Sequence, residues 1–111
     1  MSRGHDRERA VVHLLRRQDW VAFRMPGSLG EFDVCAMRRT RMCGMGRFDH
    51  WTREVRFIEV KSTVRGPYAG FGPRDRADLV AVAELAGAEP WLAWWPPRGK
   101  LRFIGKDEWP R

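Results

Sequence analysis

Glu59 and Lys61 stand two residues apart in RFIEVKST (Arg56–Thr63), beside Phe57, Ile58 and Val60. A strand repeats every two residues, so Val55, Phe57, Glu59 and Lys61 share one face and Arg56, Ile58 and Val60 the other. Charged groups on a buried strand are expensive unless they are paired or bind a metal. A hard divalent cation such as Mg²⁺ takes oxygen ligands. Glu59 supplies one carboxylate, and Asp33 at the start of FDVCAM supplies a second if the two strands pair as a meander. The Val60 carbonyl points into the same region, and Lys61 beside the cation would orient an attacking water or offset developing negative charge. Phosphodiester hydrolysis needs this division of labour.

Glu8 adds a fourth polar position. Residues 6–17 have helical periodicity, with Val11, Val12 and Leu15 on an apolar arc and Arg9, His13, Arg16 and Arg17 elsewhere. Glu8 falls inside the apolar arc and admits two readings. Either it faces the core as a paired or metal-bound carboxylate, or the first turn lies beyond the core edge and Glu8 favours the helix N-terminus.

The elements that must position these groups read in order. Strands are expected at 20–25 (WVAFRM), 32–37 and 54–62, with the PGSLG turn at 26–30 after the first. Residues 38–53 (RRTRMCGMGRFDHWTR) are basic and read as an irregular, extended hairpin connection. A glycine-rich loop at 64–73 precedes a helix at 75–86, with Leu79, Val82, Ala83 and Ala86 inward and Gly87 as C-cap. Strands at 90–95 and, as a short edge, 101–104 complete one α/β domain over residues 1–111 with a mixed sheet and helices packed on it.

The chain of 111 residues is long enough for a single core. Its 21 Lys and Arg against 14 Asp and Glu leave +7, a balance that points to a polyanion, nucleic acid first. Only Lys61, Lys100 and Lys106 are lysines. Where Arg is the default, a Lys in a buried strand offers what Arg cannot, a compact charge able to lose its proton. No apolar run reaches the ~20 residues of a membrane span, and the charged N-terminus lacks a signal-peptide core, so a cytoplasmic protein is expected. Cys35 and Cys43 lack CxxC spacing and read as reduced thiols, one in the core. His5, His13 and His50 share no ligand spacing. Trp91, Trp94 and Trp95 read as core, whereas Trp51 lies in the basic connection, where an aromatic ring can stack on a base.

Helical Glu8, then Asp33, then Glu59-x-Lys61 at the end of a core strand resembles the PD-(D/E)xK nuclease superfamily, and within it the archaeal-type Holliday junction resolvases. The matching stretches are GHDRERAVVHLLRRQDWVAFRMPGS, FDVCA, FIEVKST and LAGAEPWLAWWPPRGKLRFI. The resemblance implies a restriction-endonuclease-like αβββαβ core. It also implies a site of Glu8, Asp33 and Glu59 serving Mg²⁺ (Mn²⁺ substituting) with Lys61 on the water. Ser28 of PGSLG matches a contributing loop serine, for which an ordinary turn serine is the competing reading, and Arg24 matches a basic position used on DNA. Two departures stand out: Phe32 replaces the usual proline before the Asp, and the 38–53 connection is longer than the family norm. That connection, with Arg38, Arg39, Arg41 and Arg47, and Arg65 in the following loop, would meet DNA. The expected function is Mg²⁺-dependent resolution of four-way junctions by a homodimer, since such a junction has two equivalent strands to cut. The alternatives are a nuclease of the same chemistry on nicked, flapped or mismatched DNA, and a DNA-binding module without catalysis.

Overall fold

α1 (Arg3–Arg17) begins the chain, its apolar arc of Val11, Val12 and Leu15 fully sequestered and His13, Arg16 and Arg17 exposed. These coordinates are a computed structural model, which describes residues 3–26, 32–42 and 50–111. β1 (Val21–Arg24), β2 (Val34–Met42) and β3 (His50–Lys61) form an antiparallel meander. α2 (Pro73–Ala86) then crosses over to bring β4 (Glu89–Trp94) parallel to β3, and β5 (Arg102–Gly105) returns antiparallel beside it. The sheet order is β1-β2-β3-β4-β5, followed by a 3₁₀ turn at Lys106–Glu108. The mixed sheet with a helix on each face is the expected architecture.

Strand alternation divides the core in two. Ala22, Val34, Ala36, Ile58 and Ala93 face α1, with Trp20 closing that side. Cys35, Phe57 and Leu92 face α2 and meet Phe71, Leu79, Ile104 and Trp109. Each cluster is continuous because paired residues on adjacent strands share a face. Burial pushes the Cys35 thiol pKa upward, as suits a packed thiol.

The 38–53 segment differs from its expected irregular course. Arg38–Met42 and His50–Arg53 are strand, paired in continuous register from Arg38↔Glu54 to Met42↔His50. β1 reaches only Met37, and β4 meets β3 only from Arg56 onward. The outer parts of β2 and β3 therefore have only each other as neighbours and extend past the sheet as a two-stranded arm. Alternating Arg with Thr, Met and Trp reads as loop by charge but suits a ribbon wet on both faces. Arg47, at 43–49, lies outside the described residues, as does Cys43.

α2 starts at Pro73, two residues before the expected start. Proline has no N–H to lose in a first turn, and the Asp75 carboxylate accepts the Gly72 N–H at 3.3 Å. Leu79 and Ala83 are its buried contacts, whereas Ala86, expected inward, is exposed. Gly87 ends the helix in the left-handed conformation (φ 68°) with its N–H on the carbonyls of Ala83 and Glu84. A side chain there meets steric strain of about 1–2 kcal/mol. Gly87→Ala is expected to lower unfolding stability by about 1 kcal/mol, read as an earlier denaturation midpoint at unchanged m-value.

Candidate active site

The end of β2 and the end of β3 meet at Asp33. Its N–H donates to the Ile58 carbonyl at 2.9 Å and its C=O accepts from Met25 at 2.9 Å. One backbone group thus turns to β3 and the other to β1, so the chain bends at this residue, just before β2 begins. The bend frees the side chain to reach sideways, and Asp33 Oδ2 accepts the Val60 N–H at 2.8 Å. The carboxylate continues the ladder where the β2 backbone has left it. The neighbouring Phe32 is buried and stacks on Phe57 with ring centroids 3.9 Å apart and planes within 7°. Phe32 therefore anchors Asp33 by packing.

Glu59 and Lys61 follow Phe57 on the same face. Lys61 Nζ lies 3.3 Å from Glu59 Oε1, and the Glu59 side chain is only 15% exposed. Burial, then the charge of Asp33, push Glu59 up to about 8, against the opposing pull of Lys61; a hydrogen bond to Asp33 adds to the rise. The Asp33 carboxyl group thus acts on Glu59 as a near neighbour at one site. The Val60 N–H points to the β2 side, and in a strand the C=O of a residue points the same way as its N–H. The Val60 carbonyl is accordingly directed to the edge where Asp33 sits. The glycine-rich loop passes alongside: a Cβ on Gly70 would lie 3.6 Å from the Lys61 stem. Trp94 Nε1 holds the Thr63 carbonyl at 3.1 Å, fixing where that loop leaves β3.

This donor set fits a hard cation. Two carboxylates and a backbone carbonyl are oxygen ligands of the kind Mg²⁺ and Mn²⁺ prefer. The upward shift of Glu59 comes from burial first and then from the charge of Asp33, which Lys61 opposes only in part.

Glu8 takes a different place. Its side chain is 16% exposed, so it is turned inward, but its Oε1 receives Arg24 Nε at 3.1 Å. Arg24 pairs with Val34, whose side faces α1, whereas Glu59 lies on the α2 side. Among the described residues no three His, Cys, Asp or Glu side chains gather as a ligand group. The structure therefore brings together Asp33, Glu59, Val60 and Lys61, and joins Glu8 to Arg24 instead.

The arginines also separate. Arg38 Nε bonds Glu54 Oε2 at 3.0 Å, and its guanidinium lies 4.1 Å over the Trp20 ring. Arg39 and Arg41 are exposed on the other face of the arm, where Arg39 lies 4.0 Å over the Trp51 ring. Arg65 is exposed in the loop after β3. Arg53, directly opposite Arg39, was not among the expected DNA contacts. The signal for it was the period of two, which continues upstream from Glu59 through Phe57 and Val55 to Arg53 and Trp51. Ser28 lies outside the described residues.

The five-stranded sheet with these helices is the restriction-endonuclease-like α/β fold, and the acidic pair with its lysine lies at the end of β3. A search of solved structures finds the 1.6 Å structure of Archaeoglobus fulgidus Hjc, a Holliday junction resolvase from an archaeal hyperthermophile, with a TM-score of 0.65 and 25% sequence identity. The match covers 94% of this chain and 73% of that one. The resemblance drawn from the residues is thus borne out in three dimensions. No protein-family model matches the chain, and no curated protein matches it.

The Glu59 shift has a consequence for stability. Its folded-state value, about 8, is above the ordinary 4.5, so the folded protein holds a proton that the unfolded chain releases. Stability from this group is full below pH 4.5 and is lost as pH rises to about 8. Glu59→Gln removes that loss. With chelator present, the melting temperature of the variant should gain on that of the unsubstituted protein as pH rises from 5 to 8, measured by thermal denaturation.

Proposed function

We propose that this chain is a metal-dependent endodeoxyribonuclease that resolves four-way DNA junctions by paired phosphodiester hydrolysis. The observation that carries the reading is the convergence of Asp33, Glu59 and Lys61 at the end of β3, in the fold shared with a protein described as a Holliday junction resolvase. The charge of +7 supports a DNA partner. Among the described residues no helix is long and apolar enough to cross a membrane, and the reading puts the enzyme in the cytoplasm with its DNA.

In this reading Asp33, Glu59 and the Val60 carbonyl hold a divalent ion. Such an ion, when bound, supplies Lewis-acid polarisation of the scissile phosphate and eases deprotonation of the attacking water. The Val60 N–H fixes Asp33 before substrate arrives, so no reorganisation is needed at the moment of reaction. Lys61, beside Glu59 at 3.3 Å, orients the water and offsets charge building on the phosphate oxygens as the new P–O bond forms and the old one breaks. The loop passes the lysine stem at Gly70, where a Cβ would be in ordinary van der Waals contact with it. Glu8 acts as a positioning residue, holding the Arg24 guanidinium for a phosphate contact. Arg65 on its exposed loop and Ser28 complete the substrate side.

Asp33→Asn, Glu59→Gln and Lys61→Ala should each reduce cleavage of a synthetic four-way junction in Mg²⁺ by at least about 10²-fold. Junction binding in gel-shift assays should persist. Cleavage at normal rates by the Asp33 and Glu59 variants would refute the site. Flap and linear duplex substrates run alongside identify the preferred DNA.

Two equivalent cuts call for two sites related by a two-fold axis. α2 supports a homodimer, because Ala77, Ala81 and Leu85 line its outer side and Leu85 is 90% exposed. A shallow groove of about 500 Å³ runs from there to Trp109 and Pro110. Light scattering should give twice the chain mass for the unsubstituted protein and the chain mass for Leu85→Glu. A monomer at micromolar concentration in both would remove the dimer from this reading.

A further inference from the structure

The arm formed by the outer parts of β2 and β3 has two unlike faces. One face carries Arg38, Thr40, Thr52 and Glu54, and its charge is satisfied internally: Glu54 Oε2 accepts from Arg38 at 3.0 Å and its Oε1 from Thr40 at 3.3 Å. The Thr52 hydroxyl donates to the Thr40 carbonyl at 3.3 Å. The other face carries Arg39 opposite Arg53 and Arg41 opposite Trp51. Along these two strands that face holds no acidic side chain until Glu59. Like charges directly opposite one another destabilise a strand pair, so Arg39 and Arg53 work against the arm that bears them. A polyanion laid across the pair would reverse the sign of that interaction.

The cationic face is also the active-site face. Trp51, Arg53, Val55, Phe57, Glu59 and Lys61 are successive same-side residues of one strand. At ~3.3 Å per residue, Arg53 lies ~20 Å and Trp51 ~26 Å along β3 from Glu59. At ~3.4 Å per base pair, the longer distance corresponds to about eight base pairs of duplex. A two-stranded ribbon twists more than a wide sheet and has dimensions that a major groove admits. Trp51 is 51% exposed, and its ring holds the Arg39 guanidinium at 4.0 Å, which sets the cation in place before any DNA arrives.

We infer that the arm is a second DNA grip: Arg39, Arg41 and Arg53 contact backbone phosphates of the duplex flanking the branch point, about six to eight base pairs from the scissile phosphate. Trp51 acts as a positioning residue that holds Arg39. Arg38 takes no part, since it is bound to Glu54 on the reverse face. The inference rests on the nuclease reading for the place of the scissile phosphate, but the grip itself is measurable without cleavage.

The test uses hairpin-capped, GC-rich four-way junctions with arms of either about 6 or about 16 base pairs, spanning the reach calculated above, and titrated in EDTA over a range of salt. The unsubstituted protein is expected to bind the long-armed junction about tenfold more tightly than the short-armed one, near the strength of two phosphate contacts. Arg39→Ala/Arg53→Ala, which leaves Arg41 in place, should lose most of that preference and reduce the slope of log K against log salt by about 2. Arg39→Lys/Arg53→Lys should keep most of both, and Trp51→Phe should keep more than Trp51→Ala. Unchanged affinity and salt slope in the double alanine variant would overturn the inference, as would an arm-dependent preference for duplex RNA over DNA. Absence of cleavage in Mg²⁺ with the arm-length effect intact would instead count against the nuclease reading and leave the grip standing.

Discussion

One hydrogen bond organises the site: the Val60 N–H donating to the Asp33 carboxylate at 2.8 Å. A strand end normally leaves its neighbour's backbone to water, and here the side chain of Asp33 takes over the ladder position that the β2 backbone vacates. The same contact sets the acidic group against Glu59, the next residue but one along β3 from Phe57. Phe32 stacks on Phe57, so the bend that permits this bond is itself pinned by core packing. Loss of the stack would loosen Asp33, and loss of Asp33 would leave the Val60 N–H without its partner at a strand end.

Burial of Glu59, and after it the nearness of Asp33, is unfavourable to the ionised carboxylate in the free protein, visible in the rise of Glu59 to about 8. Nearby Lys61 offsets part of it. A cation would offset the rest, and its binding would convert an unfavourable pair into ligands. Tension of this kind is common where burial and like charge are combined for chemistry. The arm repeats the pattern at lower stakes, with Arg39 facing Arg53 in solvent. At both places the fold assembles like charges that the protein alone does not balance. Carboxylates gather where a cation would bind, and guanidiniums where a phosphate chain would lie.

Much of the architecture was legible because its signals are local. The apolar arc of α1, Gly87 as the α2 C-cap and the period of two through Phe57, Glu59 and Lys61 each depend on a few neighbouring residues. The arm was not legible as strand, since Arg38–Met42 and His50–Arg53 have no apolar alternation; their order comes from pairing with each other, a non-local constraint. Glu8 shows the same limit. Its place inside the apolar arc followed from helical period, but that left two readings open, and its partner, Arg24, is 16 residues away and reached it only through the packing of α1 on β1. Arg38 and Arg39 are adjacent in sequence and alike in type, yet alternation gave one to Glu54 and the other to the open face.

The sequence by itself determined which groups are available: two acids and a lysine in apolar strands, a basic excess and a helix whose apolar arc includes a carboxylate. Residue type and short-range periodicity suffice for that, because the backbone period fixes which side chains share a face. Only the tertiary structure decided which of them meet. Asp33 reaches Glu59 because β2 and β3 pair in one register and the chain bends just before β2, and Glu8 is diverted to Arg24 because α1 lies on the opposite side of the sheet. Register and layer are set by pairing and burial across the whole chain, and no stretch of neighbouring residues contains them.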